Sequence, residues 1–312
     1  MPQIYIVIVN YNKWEDLKAC LTSIFRSDYD NFKVIVVDNN SENDSLGHLT
    51  RWAASDASVP RASSFKLIHS RDLDEHTDPT TFPRLLFVQH TKNVGFAGGV
   101  NVALRHLTGQ DAYIWLLNPD LEVEENALSE LVRFAEAHPV RSITGTVIKF
   151  EDQRDKIHMY GGGRVNFNTA TATLIEEIDD IPQLDYISGG SLFTRAENFR
   201  ELGILPAGFF IYWEETDWCF QARAKGYELN ICLTAICYDK VSTTMGRGFL
   251  AEFYYTRNGL FFVDKYKKEA NRRALFAAWL RLIKRAMSGQ WSRVRGVYRG
   301  IQAFKKKERN ED

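Results

Sequence analysis

Four short apolar runs, each ending in a polar cluster, recur in the first 120 residues and constrain the fold more than any other sequence feature. The first run spans residues 4–9, is rich in β-branched residues and ends at Asn10. Continuous apolar runs of this length are typical of strands buried on both faces of a parallel sheet. The other three runs occupy residues 32–37, 85–88 and 113–117.

Helical periodicity separates these strands. After the first run, apolar residues recur at helical spacing, at Trp14, Leu17, Leu21 and Ile24. A second such pattern precedes the fourth run, at Val100, Ala103, Leu104 and Leu107. The alternation of strand and helix predicts an α/β fold, in which helices flank a mostly parallel, Rossmann-like central sheet.

The polar clusters follow the carboxyl ends of the predicted strands. They comprise residues 10–12, 38–41, 93–99 and 118–120. In open α/β sheets, ligands bind beyond the carboxyl ends of the strands. The sequence therefore predicts a nucleotide-type pocket at this edge of the sheet.

Composition and charge exclude several classes of protein. The formal net charge of -1 predicts no general attraction to nucleic acid. The four cysteines lack the paired spacing of a zinc site, which favours free thiols in a reducing compartment. Met1 is followed by a strand rather than a basic and apolar leader, and no apolar run reaches about 18 residues. We therefore expect a cytoplasmic protein.

The rest of the chain is predicted to be less regular. Residues 54–84 are rich in Ser, Asp and Thr and are expected to form a long surface insertion. Residues 141–240 favour strands and irregular structure. Beyond them, Lys and Arg alternate with large apolar residues, which predicts basic amphipathic helices. We expect a ligand-binding domain over residues 1–240 and a basic, mainly helical extension over residues 241–312.

The polar clusters offer groups that suit a nucleotide. Asp38 is placed to accept hydrogen bonds from a base or ribose, although a helix cap explains it equally well. The glycine-bearing segment 93–99 lets backbone amides approach a phosphate, or forms a simple turn. Asp120, after Asn118 and Pro119, offers a carboxylate to Mg²⁺ or Mn²⁺, although Pro-Asp is also a β-turn sequence.

A second acidic group lies among aromatic residues. Glu214, Glu215 and Asp217 are flanked by Phe209, Phe210, Tyr212, Trp213 and Trp218. Burial among rings is costly for a carboxylate and raises its pKa toward the range useful for a general base. Acids also favour the first turn of a helix, and residues 217–224 have a helical pattern, so the two roles are compatible.

Taken in order, these motifs resemble those of the family 2 inverting glycosyltransferases, which have the GT-A fold. The matching segments are residues 7–12, 36–41, 93–101, 116–120 and 210–219. Within the family, Asn118-Pro119-Asp120 and the later segment 254–258 are most similar to bacterial rhamnosyltransferases, which typically use dTDP-L-rhamnose.

The resemblance implies a role for each candidate residue. Glu215 falls at the position of the catalytic base, and Glu214 and Asp217 would support the base or the acceptor. Asp120 would bind the Mg²⁺ or Mn²⁺ cofactor, and Asp38 would contact the base. The residues implied in nucleotide-sugar binding are Asn10, Asp38, Asn93, Gly95, Asn118 and Asp120.

Two positions depart from the family pattern. Where the family usually has Glu-Asp, this chain has Glu214-Glu215, whose longer second side chain changes the reach of the base. The family often completes its metal site with a later His, and Asp239 stands where that His is expected. A carboxylate is also a competent ligand for Mg²⁺ or Mn²⁺. The alternative is a cation held by Asp120 and the diphosphate alone.

The expected function is sugar transfer, with L-rhamnose from dTDP-L-rhamnose as the first choice, to a saccharide or lipid-linked acceptor in bacterial surface-polysaccharide synthesis. Another donor, such as a UDP-hexose or UDP-galactofuranose, and a non-catalytic glycan- or nucleotide-binding relative remain alternatives. A nicotinamide-dependent oxidoreductase is excluded because no glycine fingerprint follows the first strand.

The basic extension leaves two alternatives. Its mixture of basic and aromatic residues suits an interfacial helix, which would make the protein peripheral on the inner face of the cell membrane. A solvated helical bundle or a contact within a homo-oligomer explains the same pattern.

Overall fold

The computed structural model of the chain describes residues 1–55, 65–73, 77–240 and 248–307. Within these residues it contains the following strands: β1 (Gln3–Asn10), β2 (Phe32–Asp38), β3 (Phe65–His69), β4 (Leu85–Gln89), β5 (Ala112–Leu117), β6 (Leu121–Val123), β7 (Ser142–Phe150), β8 (Ile157–Tyr160), β9 (Gly162–Asn166), β10 (Thr171–Leu174), β11 (Tyr186–Ile187), β12 (Ser191–Arg195) and β13 (Glu228–Asp239). Its helices are α1 (Trp14–Ile24), α2 (Ser45–Ser55), α3 (Gly95–Leu107), α4 (Ala127–Glu136), α5 (Ala196–Leu202), α6 (Glu214–Ala224), α7 (Phe249–Tyr266), α8 (Asn271–Met287) and α9 (Trp291–Lys305).

The central sheet has the strand order β3-β4-β2-β1-β5-β12-β7-β13-β6, with β8 paired to β7. The first five strands of this order run parallel, and β12 joins them antiparallel to both β5 and β7. The remaining small sheet, β10-β9-β11, is antiparallel. The predicted α/β fold with a mostly parallel sheet is confirmed, and the four predicted strands differ from β1, β2, β4 and β5 by at most two residues.

Alternating side chains of the buried strands form two apolar cores, one on each face of the sheet. In β1, Ile4, Ile6 and Ile8 pack on the face covered by α1, α2 and α4. Tyr5 and Val7 pack on the opposite face, which α3, α5 and α6 cover. Burial on both faces explains why the sequence shows continuous apolar runs rather than alternation of apolar and polar residues.

Part of the predicted surface insertion is a strand of the central sheet. Residues 65–69 form β3, which pairs parallel with β4 at the sheet edge, and the ring of Phe65 lies 6.3 Å from that of Phe87. Lys66, Leu67 and His69 are exposed, so the segment lacks the apolar run that marks the buried strands. Residues 56–64 and 74–76, which include most of the acidic residues of the insertion, lie outside the described residues.

The C-terminal helices form a third apolar core, built around Leu260, Ala274, Val297 and Ile301. Helix α9 packs closely on α7: a Cβ on Gly296 would lie 2.5 Å from the carbonyl oxygen of Phe249. The predicted helical character of the extension is confirmed. The predicted division at residue 240 stays a prediction, because residues 241–247 lie outside the described residues.

Two further expectations concern the whole chain. All four cysteines are free thiols, and all are buried. None of the helices in the described ranges has both the length and the apolarity to cross a membrane.

Candidate active site

The carboxyl ends of β1, β2 and β4 meet at one edge of the sheet. Strand register pairs Asn10 with Asp38 and Asp38 with Gln89. Backbone hydrogen bonds continue past the strand ends, because the amide of Asn39 donates to the carbonyl of Asn10 at 2.8 Å and that of His90 to the carbonyl of Asp38 at 2.9 Å. The polar clusters that follow these strands are therefore brought together, as the sequence predicts.

Asp38 is the centre of a buried hydrogen-bond network at this edge. Asn10 Nδ2 donates to Asp38 Oδ1 at 2.8 Å, and Ser41 Oγ donates to the same oxygen at 2.6 Å. The Ser41 amide donates to Asp38 Oδ2 at 3.0 Å. Asn10 is 0% exposed and Asp38 is 2% exposed. Charge-assisted bonds of this kind stabilise the loops that carry them. Direct contact of Asn10 and Asp38 with a nucleotide stays a prediction.

The smaller of two neighbouring cavities, about 70 Å³ in volume, lies at the same edge. It contains three of the residues predicted to bind a nucleotide sugar, namely Asn93, Gly95 and Asn118. Its remaining lining residues are Val9, Tyr11, Lys13, Asn39, Phe96, Pro119, Phe210 and Ile211.

Asn39 positions the segment that follows β4. Its Nδ2 donates to Asn93 Oδ1 at 3.0 Å and to the carbonyl of Gly95 at 2.9 Å. Its Oδ1 accepts from the amide of Val94 at 3.0 Å. The side-chain amide thus uses both its donor and its acceptor to hold the β4–α3 turn against the end of β2.

Gly95 allows α3 to approach the segment 207–213, here called the Phe210 loop. Gly95 has φ +76°, and a Cβ there would lie 2.0 Å from the carbonyl oxygen of Phe210. That carbonyl accepts from the amide of Phe96 at 2.7 Å. A side chain at this position would therefore push the Phe210 loop away from the cavity.

The Phe210 loop has an unusual backbone. Phe210, Tyr212 and Trp213 have φ values of 68°, 65° and 79°, in the left-handed region that non-glycine residues seldom adopt. Each such residue costs roughly 1–3 kcal/mol, so the surrounding structure must hold the loop in place.

Helix α7 holds the Phe210 loop. Asn258 Nδ2 lies 2.8 Å from the carbonyl oxygens of Phe209 and Ile211 and 3.0 Å from that of Tyr212. Arg257 Nη2 donates to the same Phe209 carbonyl at 3.1 Å. The similarity of residues 254–258 to rhamnosyltransferases therefore coincides with a structural role, since this segment fixes the loop that borders both cavities.

The larger cavity has a volume of about 300 Å³ and shares Phe96, Asn118 and Ile211 with the smaller one. Glu214 and Glu215 both line it. Its other lining residues are Leu174, Tyr186, Ser188, Gly189, Gly190 and Tyr212. Aromatic rings and apolar side chains with a few polar groups are typical of a site for a small polar molecule.

Glu214 and Glu215 lie in the first turn of α6, which begins three residues before the predicted helical stretch. Glu214 is 2% exposed. The Oε2 atoms of both residues are buried without a hydrogen-bond partner in the part of the chain that the structure describes. Buried polar atoms are almost always bonded, so unpartnered carboxylate oxygens on two residues that line one cavity indicate a site for a ligand that donates hydrogen bonds.

Burial raises the pKa of both carboxyl groups because it disfavours their charged forms. The charge of Glu215 raises the pKa of Glu214 further, well above its usual range. For Glu215 the rise is partly offset by its own backbone amide and those of Gly189 and Thr216. Three backbone amides therefore favour the charged form of Glu215, whereas the charge of Glu215 disfavours the charged form of Glu214.

Asp217 is turned toward the C-terminal extension. It is 1% exposed, and Lys265 Nζ donates to its two oxygens at 2.7 and 2.8 Å. Gln221 Nε2 also donates to Oδ2 at 2.7 Å. The two bonds from Lys265 join α6 to α7, and the bond from Gln221 lies within α6. The implied role of Asp217 beside the acceptor or base stays a prediction.

Asp120 lies in the turn that precedes β6, and Asp239 ends the neighbouring strand β13. Asp120 is 7% exposed and ends a turn in which the amide of Leu121 donates to the carbonyl of Asn118 at 3.3 Å. Asp239 pairs in register with Leu121, and its Oδ2 lies 3.3 Å from His158 Nδ1. Within the described ranges, no group of three or more His, Cys, Asp or Glu residues is arranged to hold a metal ion.

Several lining residues were not among those predicted. Tyr11 and Asn39 belong to polar clusters that the sequence did single out, and Lys13 directly follows one of them, so their position was the available signal. Ser188, Gly189 and Gly190 follow a short apolar segment, and a Cβ on Gly190 would lie 3.3 Å from Asn118 Nδ2. In the sequence, the pair Gly189 and Gly190 before β12 was the sign that the backbone approaches Asn118 closely.

Comparison with known proteins agrees with this architecture. The profile described as Glycosyl transferase family 2 matches residues 5–72 and 70–203. The low-salt glycan biosynthesis hexosyltransferase Agl10 of Haloferax volcanii is 24% identical over 245 residues, 74% of this chain and 65% of that protein. The chain therefore spans less than two thirds of that relative. The rhamnosyltransferase WbbL of Escherichia coli K12 is 23% identical over 238 residues, 73% of this chain and 79% of that protein.

A solved structure has the same fold. The mannosyltransferase PcManGT of Pyrobaculum calidifontis, in complex with GDP-Man and Mn²⁺, covers 99% of this chain and 88% of its own, with a TM-score of 0.58 and 16% identity. At this identity the likeness shows the GT-A fold alone. Because the matched profile covers more than half of the sequence, the chain belongs to glycosyl transferase family 2.

Proposed function

We propose that the chain transfers a sugar, with inversion, from a nucleotide donor bound at the sheet edge beside the smaller cavity to a hydroxyl group of an acceptor in the larger cavity. The observation that carries this proposal is the pair of unpartnered carboxylate oxygens on Glu214 and Glu215, two residues that line a cavity. That cavity shares Phe96, Asn118 and Ile211 with its neighbour. An acceptor hydroxyl would supply the missing donor, and the shared wall would bring the two substrates into contact.

Glu215 acts as the general base in this proposal. Burial raises its pKa, and the backbone amides of Glu215, Gly189 and Thr216 offset part of that rise, whereas the charge of Glu215 raises the pKa of Glu214 further. We therefore assign the negative charge of the pair to Glu215 and the proton to Glu214. Glu215 removes the proton of the acceptor hydroxyl as its oxygen attacks the sugar carbon and the diphosphate leaves from the opposite side. The protonated Glu214 donates a hydrogen bond instead of adding a second charge.

Asp120 would hold a Mg²⁺ or Mn²⁺ ion together with the donor diphosphate. Mg²⁺ is usually bound by one or two carboxylates plus substrate phosphates rather than by a cage of protein ligands. The buried carboxylate of Asp120 beside the turn at Asn118 suits that arrangement. The ion would neutralise the leaving diphosphate. Asp239, which contacts His158, would be a secondary ligand.

L-Rhamnose from dTDP-L-rhamnose is the proposed donor, and a saccharide, free or lipid-linked, is the proposed acceptor. The similarity to a relative named as a rhamnosyltransferase supports this choice. Phe96 and Ile211, at the boundary of the cavities, offer apolar contacts that suit the methyl group of a 6-deoxy sugar. Buried, free thiols are consistent with action in the cytoplasm.

A thermal-shift panel tests the donor. It compares dTDP-L-rhamnose, UDP-glucose, UDP-galactofuranose and GDP-mannose, each with and without Mn²⁺. We expect the largest rise in melting temperature with dTDP-L-rhamnose and Mn²⁺ together, because a ligand that binds only the folded state stabilises it. A larger rise in melting temperature with a UDP-sugar would identify that sugar nucleotide as the donor instead. Binding without transfer to any saccharide acceptor would instead support a non-catalytic relative.

A further inference from the structure

Helix α8 exposes a stripe of large apolar side chains. Phe276, Leu280, Ile283 and Met287 are spaced by four, three and four residues, and their exposed fractions are 65%, 50%, 50% and 85%. At 100° per residue these side chains fall within about 60° of the helix circumference. They therefore form one continuous outward face rather than scattered exposed residues.

The opposite face of α8 carries small and charged residues. Ala274 and Ala278 are fully buried against the extension core. Arg285 Nε donates to Glu252 Oε1 of α7 at 3.1 Å, and the Arg281 guanidinium lies 5.5 Å from the ring of Tyr255. A helix of a soluble bundle normally buries its large apolar side chains and exposes its charged ones. Helix α8 packs Leu275, Trp279 and Leu282 against the extension core but also exposes the apolar stripe, so its outer face is suited to an apolar partner.

Helix α9 extends this face. Trp291 is 65% exposed and follows Met287 by four residues, and Tyr298 is 45% exposed. The rings of Tyr298 and Trp279 of α8 lie 6.3 Å apart, which brings the exposed side of α9 beside α8. The docking face is defined here as Phe276, Leu280, Ile283, Met287, Trp291 and Tyr298.

The charge around the docking face has one sign. Residues 271–307 contain no Asp or Glu and eleven basic residues, namely Arg272, Arg273, Arg281, Lys284, Arg285, Arg293, Arg295, Arg299, Lys305, Lys306 and Lys307. Arg272 and Lys284 are exposed on either side of the α8 stripe, while Arg285 and Arg293 pair with Glu252 inside the bundle. Aromatic and aliphatic side chains bordered by basic residues match the interface of an anionic bilayer.

We infer that the docking face binds the surface of an anionic lipid bilayer, with its apolar side chains at the level of the headgroups. A second copy of this chain is disfavoured as the occupant, because a symmetric contact would bring like charges together. The contacts of α7 with the Phe210 loop and with Asp217 would then hold the substrate cavities in a fixed relation to the membrane. This inference does not depend on the identity of the donor sugar.

Vesicle co-sedimentation of the whole chain, without donor or acceptor, tests the inference separately from sugar transfer. The vesicles contain either phosphatidylcholine alone or equal parts of phosphatidylcholine and phosphatidylglycerol. We expect binding to the mixed vesicles that falls as salt rises, and little binding to phosphatidylcholine. F276S/L280S/I283S should weaken binding at least about tenfold, because it removes apolar area that enters the interface. R272Q/K284Q should weaken it several-fold.

The matched control is V140S/I178S, which changes two residues that are 48% and 49% exposed and lie outside the extension. It should bind vesicles as the unchanged chain does. If F276S/L280S/I283S does not fold by circular dichroism, M287S/W291S tests the same face at its most exposed positions. Unchanged binding in the folded face variants overturns the inference. So does a dimer in solution that these variants convert to monomer.

Discussion

Two groups of buried carboxylates lie in the same fold, and their surroundings differ. Both oxygens of Asp38 accept hydrogen bonds, from Asn10 and Ser41. Glu214 and Glu215 each keep one oxygen without a partner in the described structure, and both residues line a cavity. Leaving a buried carboxylate partly unbonded costs stability. The difference therefore indicates that Asp38 stabilises loops, whereas Glu214 and Glu215 belong to a substrate site.

The largest effect is expected from Glu215→Gln. Without the base, transfer should fall by about a thousandfold, since general-base catalysis contributes roughly 10²–10⁴-fold. The fold should survive, because Gln is nearly isosteric and no longer carries a buried charge. The measurement is kcat with a saccharide acceptor, and the control is Glu228→Gln at an exposed position. If Glu215→Gln keeps more than a tenth of the activity, the base is another residue.

Asp38→Ala is expected to act on stability. It would leave the buried side-chain amide of Asn10 and the hydroxyl of Ser41 without their acceptor, and the free energy of unfolding should drop by about 3 kcal/mol. Urea denaturation measures the change. Glu42→Ala, at an exposed acid of the same loop, should change it by less than about 0.5 kcal/mol. A fully stable Asp38→Ala protein that fails only in donor binding would contradict the comparison and favour direct nucleotide contact.

Asn258→Leu should lower kcat about tenfold. It should lower the free energy of unfolding by less than Asp38→Ala does. The variant loses the bonds to the carbonyls of Phe209, Ile211 and Tyr212, which hold the left-handed residues of the Phe210 loop. Steady-state kinetics with the donor saturating reports the effect, and Gln302→Leu on α9 is the control. Unchanged kcat would show that the loop keeps its conformation without α7.

Glu214→Gln should make the protein more stable as pH rises. Burial and the charge of Glu215 raise the pKa of Glu214 in the folded state above the unfolded value near 4.5. The proton on Glu214 therefore stabilises the folded state fully below pH 4.5, and this stabilisation is lost as pH rises through the pKa of Glu214 in the folded state. The melting temperature of the variant should exceed that of the unchanged chain by a few degrees at pH 8, with little difference near pH 4.5. A constant difference across this range would refute the assignment.

The acid limb of the activity profile gives the smallest effect. Burial raises the pKa of Glu215, so kcat/KM should fall on acidification at a pH above the usual carboxylate range. Glu214→Gln should leave this limb nearly in place, because burial and backbone amides, rather than the charge of Glu214, shift the pKa of Glu215. A downward shift of the limb in the variant would mean that Glu214 carries charge at that pH.

Local sequence patterns predicted the strands and the edge at which the site lies, because both depend on periodicity within a few residues. They missed β3, whose exposed edge position removes the apolar run. They also missed the bonds of Asn258 to the Phe210 loop, which join residues more than forty positions apart. No pattern marks a left-handed Tyr212 or Trp213, since glycine is the usual sign and is absent there.

The same limit applies to site residues. Glu214 and Glu215 could be predicted from acids among aromatic residues, because burial of such a cluster is costly anywhere in a chain. Asp38 points inward because it bonds to Asn10, and Asp217 pairs with Lys265. Both arrangements depend on residues that are distant in the sequence. Sequence identifies the chemical groups, and long-range packing decides which of them meet a cavity.

The seating of the Phe210 loop on α7 has a practical consequence for redesign. The loop borders both cavities, yet its shape is specified by Asn258 and Arg257 from a helix later in the chain. Exchanging the loop between relatives to alter acceptor choice would separate it from the helix that matches it. The loop and residues 249–266 should therefore be exchanged together, with the junctions of any chimera placed outside both segments. Removing the extension to make a minimal enzyme would likewise remove the side chains of Arg257 and Asn258 that hold this loop.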